Sequence, residues 1–585
     1  MEDPVHDLPV RTLSIGVAVV AIALTLAVGV LLRFWGIAQG YPDFYGHVDE
    51  IGVAASIWNF FRAATFEPTE FTYPAFYPYL VAAGIWLTAA LGALDLPVGG
   101  GLLERIAFAS YVDPGWSALV GRGLSAVASV GVVAVLYRVG REIEGRALGL
   151  TAAVFCAVAV IPVRHAHQAL PDSLSSLLGA LVLWAAWRIA QRQNWRDYLW
   201  GGACMGLLLA TKYNGALCAL AIVAAHGWRR GARRVLRGVH LWVAGIVAVG
   251  VCVLASPYLL LEYGKYLGVA RYQISSLDFA MRQTSPWWWI PRGLATEELL
   301  VGGWILAGVV LALVRRRAFD VIALATILPA GLYIGLWTRE SLHYLLPYYP
   351  FLLLLGARAF VELCERLAEP WPMRPWLVWG AVACVTLLPS LWRSVADGRE
   401  LTAADTRALA STWIEAHIPA GSTLAMTWLP YCPHLELMAT RRGILRHYES
   451  RPKWQDELRE RWAQRPAYHI VNLEAWLSQP VVPEALRGQI DIEDPETRRV
   501  FSRGWRSRER LQSEGVEFLV LPTAVYRRYL DPNKPPEPLP ARFRYLLNQS
   551  YFSSLLDDDR SELLVTLPPP GQRTRGGRIH IFRLR

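Results

Sequence analysis

Two adjacent carboxylates, Asp49 and Glu50, stand in the stretch "GHVDEIG" at 46–52, with His47 two residues ahead of the first. A carboxylate within hydrogen-bond reach of a hydroxyl acts as a general base, an effect of roughly 10²–10⁴-fold in rate. Other ionisable residues interrupt apolar segments far away in the chain: Arg122; Arg164, His165, His167 and Asp172; Lys212 in "LLLATKYNGALC"; and Arg339, Glu340 and His343. Lys212 is conspicuous because the chain has four lysines in all. Fixed cations stabilise negative charge that develops on a leaving group, and an ionisable side chain at membrane depth is a functional candidate by default. Each residue also has an ordinary reading. The arginines can snorkel to lipid headgroups, Asp172 after Pro171 can start a helix, and His165 and His167 can fill an interface. Asp49 or Glu50 can complement a helix dipole, which accounts for one acid better than for two.

The elements that must position these residues are membrane helices. Of 585 residues, 54% are hydrophobic and 18% charged, against about 25% charged in soluble domains. The net charge of +10 comes from basic residues in short loops between apolar runs, as at 137–146, 187–196, 228–237, 315–317 and 358–374. That is the positive-inside pattern and no nucleic-acid surface. Seven cysteines without metal-finger spacing predict no disulfide framework.

Apolar runs fall near 12–32, 74–94, 118–138, 147–163, 172–190, 198–212, 214–227, 239–258, 298–314, 319–337, 342–357 and 376–392. The first reads as an uncleaved anchor. Charge alternation fails only if 74–94 crosses the membrane. A re-entrant or surface-lying helix there restores it, and a kinked true span is the alternative. The expected fold class is therefore a polytopic α-helical membrane protein of about 11 spans over residues 1–392. Its first outer loop runs over 33–117, and its N-terminus is in the cytoplasm. From residue 393 the charge density rises and the apolar runs shorten. "DTRALASTWIEAHIPAG" has helical spacing, while "STLAM", "YHIVNL", "VEFLVL" and "RIHIFRL" read as strands. Residues 393–585 are thus expected to form a soluble α/β domain outside the membrane, with "DPNKPPEPLP" as a turn or linker. "WWW" at 287–289 reads as an interfacial aromatic belt and "DDD" at 557–559 as a solvated turn.

The order of segments "TYPAFYPYL", "GRGLSAVASVGVVAVLYRVGREIEG", "IPVRHAHQALPDSLSSLL", "MGLLLATKYNGAL" and "RESLHYLLPYYPFLLLLGAR" resembles the GT-C membrane glycosyltransferases of the family 39 and protein O-mannosyltransferase type. Lipid A aminoarabinose transferases are more distantly similar. The resemblance spans about residues 12–360 and implies a GT-C fold. It also implies sugar transfer from a polyprenyl-phosphate-linked donor at the outer face of a bacterial-type inner membrane, with the acceptor a protein, a lipid or a glycan. The family's essential first-loop Asp falls on Asp49, with Glu50 beside it. Its arginine at the start of the next span falls on Arg122, its Arg-to-Asp segment on Arg164 and Asp172, and its Thr-Lys on Lys212. Two segments depart from the pattern. "TYPAFYPYL" has no His, and His343-Tyr344 replaces the usual Arg-Tyr, with Arg339 one turn earlier.

On this reading Asp49 is the base and Glu50 assists binding of sugar or acceptor. Lys212, Arg164, Arg339, His343 and Arg122 are candidates for the donor phosphate. Asp172, His47 and His167 are candidates for substrate or a divalent ion, their atoms being of the right kinds. No nucleotide is required, and a metal is an open alternative. A competing class, a transporter or lipid-linked sugar flippase, predicts ionisable groups spread through the bilayer depth and inverted repeats.

Overall fold

The computed structural model describes residues 15–42, 46–231, 238–275, 288–337, 340–370, 375–427, 431–463, 465–473, 491, 508–530, 549, 552–553, 555–556 and 561–584. Arg339, "DDD" at 557–559, Trp287 and "DPNKPPEPLP" lie outside them. The chain divides into two compact units. The first holds 1–38, 52–93 and 116–399; the second holds 39–51, 94–115 and 400–585. The domain boundary expected at 392/393 thus moves to 399/400, and two stretches of the expected outer loop join the second unit.

The first unit is helical, because its apolar runs leave no backbone group unsatisfied only when they coil. In chain order it contains α1 (Ile15–Phe34), α2 (Glu50–Arg62), α3 (Phe76–Ala90), then, after a helix of the second unit, α4 (Leu102–Val112), α5 (Trp116–Glu144), α6 (Arg146–Val158), α7 (Val160–Ala166), α8 (Asp172–Arg192) and α9 (Trp195–Thr211). A 3₁₀ turn at Tyr213–Cys218 leads to α10 (Ala219–Arg230), α11 (Val239–Ala255), α12 (Tyr258–Leu261) and α13 (Tyr263–Ser275). Then follow α14 (Trp289–Glu297), α15 (Leu299–Arg315), α16 (Ala318–Gly335), a second 3₁₀ turn at Leu342–Tyr348, α17 (Tyr349–Ala368) and α18 (Pro375–Leu401).

Among the described residues, six helices are long and apolar enough to cross a membrane, or seven with the bent pair α6–α7 counted as one span. The chain is a multi-pass membrane protein. Four of the eleven expected spans, at 198–212, 214–227, 239–258 and 298–314, fold as helices of 17, 12, 17 and 17 residues. At 1.5 Å per residue these are about 18–26 Å long, less than a hydrocarbon core of about 30 Å. The extended residue Lys212 and the 3₁₀ turn after it cut one apolar stretch into two such pieces. Helix α3 has 15 residues, about 22 Å. Tyr77, fully buried, fixes it by donating to Gly121 O at 2.8 Å, and Ala75 N–H donates to Ser256 Oγ at 2.9 Å.

The second unit is built on a six-stranded sheet of order β2-β3-β1-β4-β6-β5. The strands are β1 (Thr423–Met426), β2 (Glu436–Leu437), β3 (Ala467–Asn472), β4 (Phe518–Pro522), β5 (Ser561–Leu567) and β6 (Ile579–Leu584). Strand β1 runs parallel to β3 and β4, while β6 is antiparallel to β4 and β5. Side chains alternate across the sheet, as the two-residue pleat requires. Leu424, Met426, Val520 and Ile581 pack with Ile414 of the helix Thr406–His417 on one face; Ala425, Leu519, Leu521 and Phe582 pack with Tyr526 and Phe552 on the other. Helix α4 joins this unit through Phe108, whose ring lies 5.2 Å from that of Trp454.

Candidate active site

The candidate site in the first unit starts from a broken helix. The apolar run 147–163 folds as α6 and α7, bent by 56°. Pro162 is the cause, since it has no N–H and its ring would meet the Val158 carbonyl if the helix continued. The break strips partners from the N–H groups of Val160 and Ile161 and from the carbonyls of Cys156, Ala157 and Val158. Each finds another. Val160 and Ile161 donate to the two carboxylate oxygens of Glu298, at 2.7 and 2.8 Å. Arg33 donates to Cys156 O at 2.8 Å and to Ala157 O at 2.9 Å, and Ser394 Oγ donates to Val158 O at 3.1 Å. Arg33 and Glu298 are both 0% exposed. Their charges replace the helical bonds that Pro162 forbids, as the accounting for buried backbone groups demands.

Helix α7 delivers Arg164 and His165, and the turn after it leads to Asp172 at the start of α8. Asp172 is 1% exposed, and its side chain does not cap its own helix. It accepts from Lys212 Nζ at 2.7 Å, with Lys212 itself 4% exposed. The ammonium lies 5.4 Å from the centre of the Tyr73 ring and 5.7 Å from that of Tyr344, within cation–π range. The His165 and His343 rings stack at 5.0 Å, and Ser341 Oγ lies 2.6 Å from His343 Nδ1. Two segments carry these groups because they are knitted together. Asn214 Nδ2 donates to Tyr344 O at 2.9 Å, and Tyr348 OH donates to Asn214 O. Helix α8 approaches the second 3₁₀ turn so closely that a Cβ on Gly179 would lie 2.1 Å from Pro347 O.

The structure thus gathers Asp172, Lys212, His165 and His343. Tyr73 and Tyr344 complete the cluster, and Arg33 and Glu298 support it; none of these four stood out in the sequence as a site residue. Arg164 is held otherwise, bonded to Asp397 at 2.9 and 3.2 Å and to Glu297 at 3.2 Å, so a phosphate there would face two carboxylates. Arg122, 1% exposed, donates to Ile37 O at 3.2 Å. His167, 2% exposed, lies between Val163 O at 2.9 Å and Trp35 O at 3.0 Å. Both residues tie the turn after α1 to the helices behind it.

In the second unit the two acids of "GHVDEIG" separate. Glu50 is 1% exposed and accepts from Gly46 N–H at 2.6 Å and His47 N–H at 3.1 Å, closing the loop onto the start of α2. Asp49 is exposed, with His47 Nδ1 4.0 Å from its carboxylate. Among the described residues no group of three or more His, Cys, Asp or Glu side chains gathers as a metal site. Asp172, a candidate ligand, is engaged by the Lys212 ammonium at 2.7 Å. A separate cleft of about 880 Å³ lies over Glu415, Arg441, Trp462 and Arg465. Arg441 is bonded to Glu436, and Arg465 to Glu415, so its cations are committed within the fold.

Residues 106–260 match the family model described as dolichyl-phosphate-mannose-protein mannosyltransferase. No curated protein matches the sequence. Among solved structures, the chain is similar to ArnT from Cupriavidus metallidurans in the apo state, with 12% identity over 97% of this chain and 98% of that one and a TM-score of 0.52. It is similar to the Archaeoglobus fulgidus oligosaccharyltransferase in the apo form, with 12% identity over 88% and 70% and a TM-score of 0.50. It is also similar to AglB from the same organism in complex with an inhibitory peptide and a dolichol-phosphate, with 10% identity over 97% and 88% and a TM-score of 0.50. Identities this low speak to the fold alone: this chain shares the fold of these solved structures, and its residues 106–260 resemble the family whose model they match.

Proposed function

We propose that this protein is an inverting glycosyltransferase that moves a sugar from a polyprenyl-phosphate carrier to a hydroxyl acceptor at the outer face of a bacterial-type inner membrane. The observation that carries the reading is the buried Lys212–Asp172 pair flanked by His165, His343, Tyr73 and Tyr344. Two findings support the donor class. The family model is described by dolichyl-phosphate-mannose, and AglB was solved with a dolichol-phosphate.

In the proposed reaction the acceptor oxygen attacks the anomeric carbon while Asp49 takes the hydroxyl proton. The bond from that carbon to the phosphate oxygen breaks, and the polyprenyl phosphate leaves with the electron pair. Lys212, one of whose N–H groups is fixed by Asp172, has two more to offer the phosphate, and His343 lies beside it. Positive charge fixed in advance, away from bulk water, is where such electrostatic help is largest. Glu50, in place of direct work on substrate, holds the loop that presents Asp49. Inversion needs no carboxylate nucleophile and no nucleotide.

The test is transfer from a radiolabelled polyprenyl-phosphate sugar in liposomes to mixed protein, lipid and glycan acceptors. Asp49→Asn, an exposed substitution, should lose about 10²–10⁴-fold in turnover while the protein folds normally. Unchanged turnover would remove Asp49 as the base. Transfer from a nucleotide sugar alone would remove the donor class, and flux of the lipid-linked sugar without covalent transfer would favour the flippase.

A further inference from the structure

We infer that Glu298, working with Arg33, is a positioning residue for the reaction. Together they set the angle of α7 and so the place of His165 beside His343 and the Lys212–Asp172 pair. The inference rests on the proposed transfer for its kinetic consequence but not for its structural one.

The geometry is a closed account. Pro162 interrupts one helix and leaves two amide protons and three carbonyls without helical partners. Glu298 supplies two acceptors, one per amide, at 2.7 and 2.8 Å. Arg33 supplies two donors to the first two carbonyls at 2.8 and 2.9 Å, and Ser394 supplies the third at 3.1 Å. Helical bonding then resumes, Val163 N–H donating to Ala159 O at 3.2 Å. Glu298 is fixed in turn: Tyr349 OH donates to Oε1 at 3.3 Å, and Ser390 Oγ donates to its backbone carbonyl at 3.1 Å. Hydrophobic residues in place of Arg33 and Glu298 would seal the space but leave four backbone groups unpaired. A cation on the carbonyl side and an anion on the amide side match the sign of the dipole at each new helix end. Since both oxygens of one carboxylate are engaged, the direction of α7 is set by a bidentate contact, not by packing alone. Three residues of α7 and the turn after it point this direction into use: His165 stacks on His343 at 5.0 Å, Arg164 bonds Asp397, and His167 bonds Trp35 O.

Glu298→Gln separates this role from bulk stability. The amide keeps one acceptor and turns an N–H₂ toward the second backbone N–H, so one bond is lost and a donor faces a donor. Two readouts apply. In the full-length protein in liposomes, the variant should show kcat reduced at least 10-fold with the donor KM within about 2-fold, because α7 bears on the reacting centre and not on the prenyl tail. Independently of any activity, a His165→Cys/His343→Cys pair should form a disulfide under mild oxidant. Adding Glu298→Gln should slow that at least 10-fold. Ser394→Ala, a milder loss at the carbonyl side, should give an intermediate effect on both readouts and serves if Glu298→Gln does not fold. Cross-linking and kcat both within 2-fold of the parent would overturn the inference, as would a fall in one without the other. If the parent protein transfers no sugar from any lipid-linked donor, the glycosyltransferase reading fails, and the cross-linking rate alone decides whether Glu298 sets α7.

Discussion

Lys212 and Asp172 are the most legible site residues in the sequence, and the reason is physical. A charge that interrupts an apolar run costs several kcal/mol unless it is paired, so two such charges in one fold invite each other. They meet at 2.7 Å with 4% and 1% exposure. Removing one partner leaves the other buried and uncompensated, at a cost of about 3–5 kcal/mol. Lys212→Met and Asp172→Leu should each lower the melting temperature in detergent markedly. The double variant should be destabilised by clearly less than the sum, with a coupling of about 0.5–3 kcal/mol. Additive losses would mean that the contact does not hold in the folded protein. All three variants should be inactive in transfer, which separates the stability of the pair from its chemical use. Tyr73 and Tyr344 were not legible, because an aromatic at the edge of an apolar run is unremarkable until a cation is found over its face. Asp49 and Glu50 show the opposite limit. They are adjacent and chemically alike, yet one closes a loop by accepting two backbone N–H groups and the other faces solvent; nothing in their types or spacing distinguishes them.

Elements were legible where a pattern is local. Four expected strands appear as β1, β3, β4 and β6, because each carries a short run rich in apolar and β-branched residues, although His469 and Asn472 of β3 are exposed. Strand β2 has two residues, and β5 reads "SELLVTL" with mixed exposure, so neither carries such a signal. The break at Ala159 was hidden because 147–163 is continuously apolar and hydropathy ignores which residue lacks an N–H. Pro162 and the lone Arg33 at the end of the first span were both visible. Only the fold shows that the second repairs what the first interrupts. The contact of α8 with the second 3₁₀ turn is equally silent in hydropathy. Gly179 is required there because its Cβ would stand 2.1 Å from a backbone oxygen, which cannot rotate away. Gly179→Ala should therefore push the 342–348 turn outward, at a cost of about 1–3 kcal/mol. The turn carries His343 and Tyr344, so transfer should fall by more than the melting temperature suggests. Gly123→Ala, at a position with nothing within 4 Å of the added Cβ, is the matched control and should change neither.

At the scale of the whole molecule, composition was enough for the membrane class. Connectivity misled, because the second unit recruits 39–51 and 94–115 from far along the chain. What recruits them is specific. Phe108 packs among Tyr448, Trp454 and Leu458, and Arg451 and Arg461 bond Glu104 and Asp95 at 2.7 and 2.9 Å. Gln39 is held by Arg575, which also bonds Asp405. Asp405 is therefore a junction: it caps the helix Thr406–His417 through Arg407 N–H at 2.9 Å and pairs with the guanidiniums of Arg407 at 2.7 Å and Arg575 at 2.5 Å. Burial alone would raise its pKa, but the hydrogen bonds and charges of Arg407 and the charge of Arg575 hold it below the ordinary carboxylate value. The unfolded chain has a pKa near ~3.9, so this stabilisation is complete above that value. It disappears as pH falls through the lower folded-state pKa. Asp405→Asn should lower the melting temperature of the second unit by about 5 °C at pH 7, from the loss of charged hydrogen bonds. The gap between variant and wild type should stay constant from pH 7 to 5 and close as pH drops below about 4. Thermal unfolding of the full-length protein in detergent, with proteolysis of the 400–427 segment as the local readout, measures it. A gap that persists unchanged at pH 3 would mean that Asp405 stabilises the second unit through its shape and not its charge.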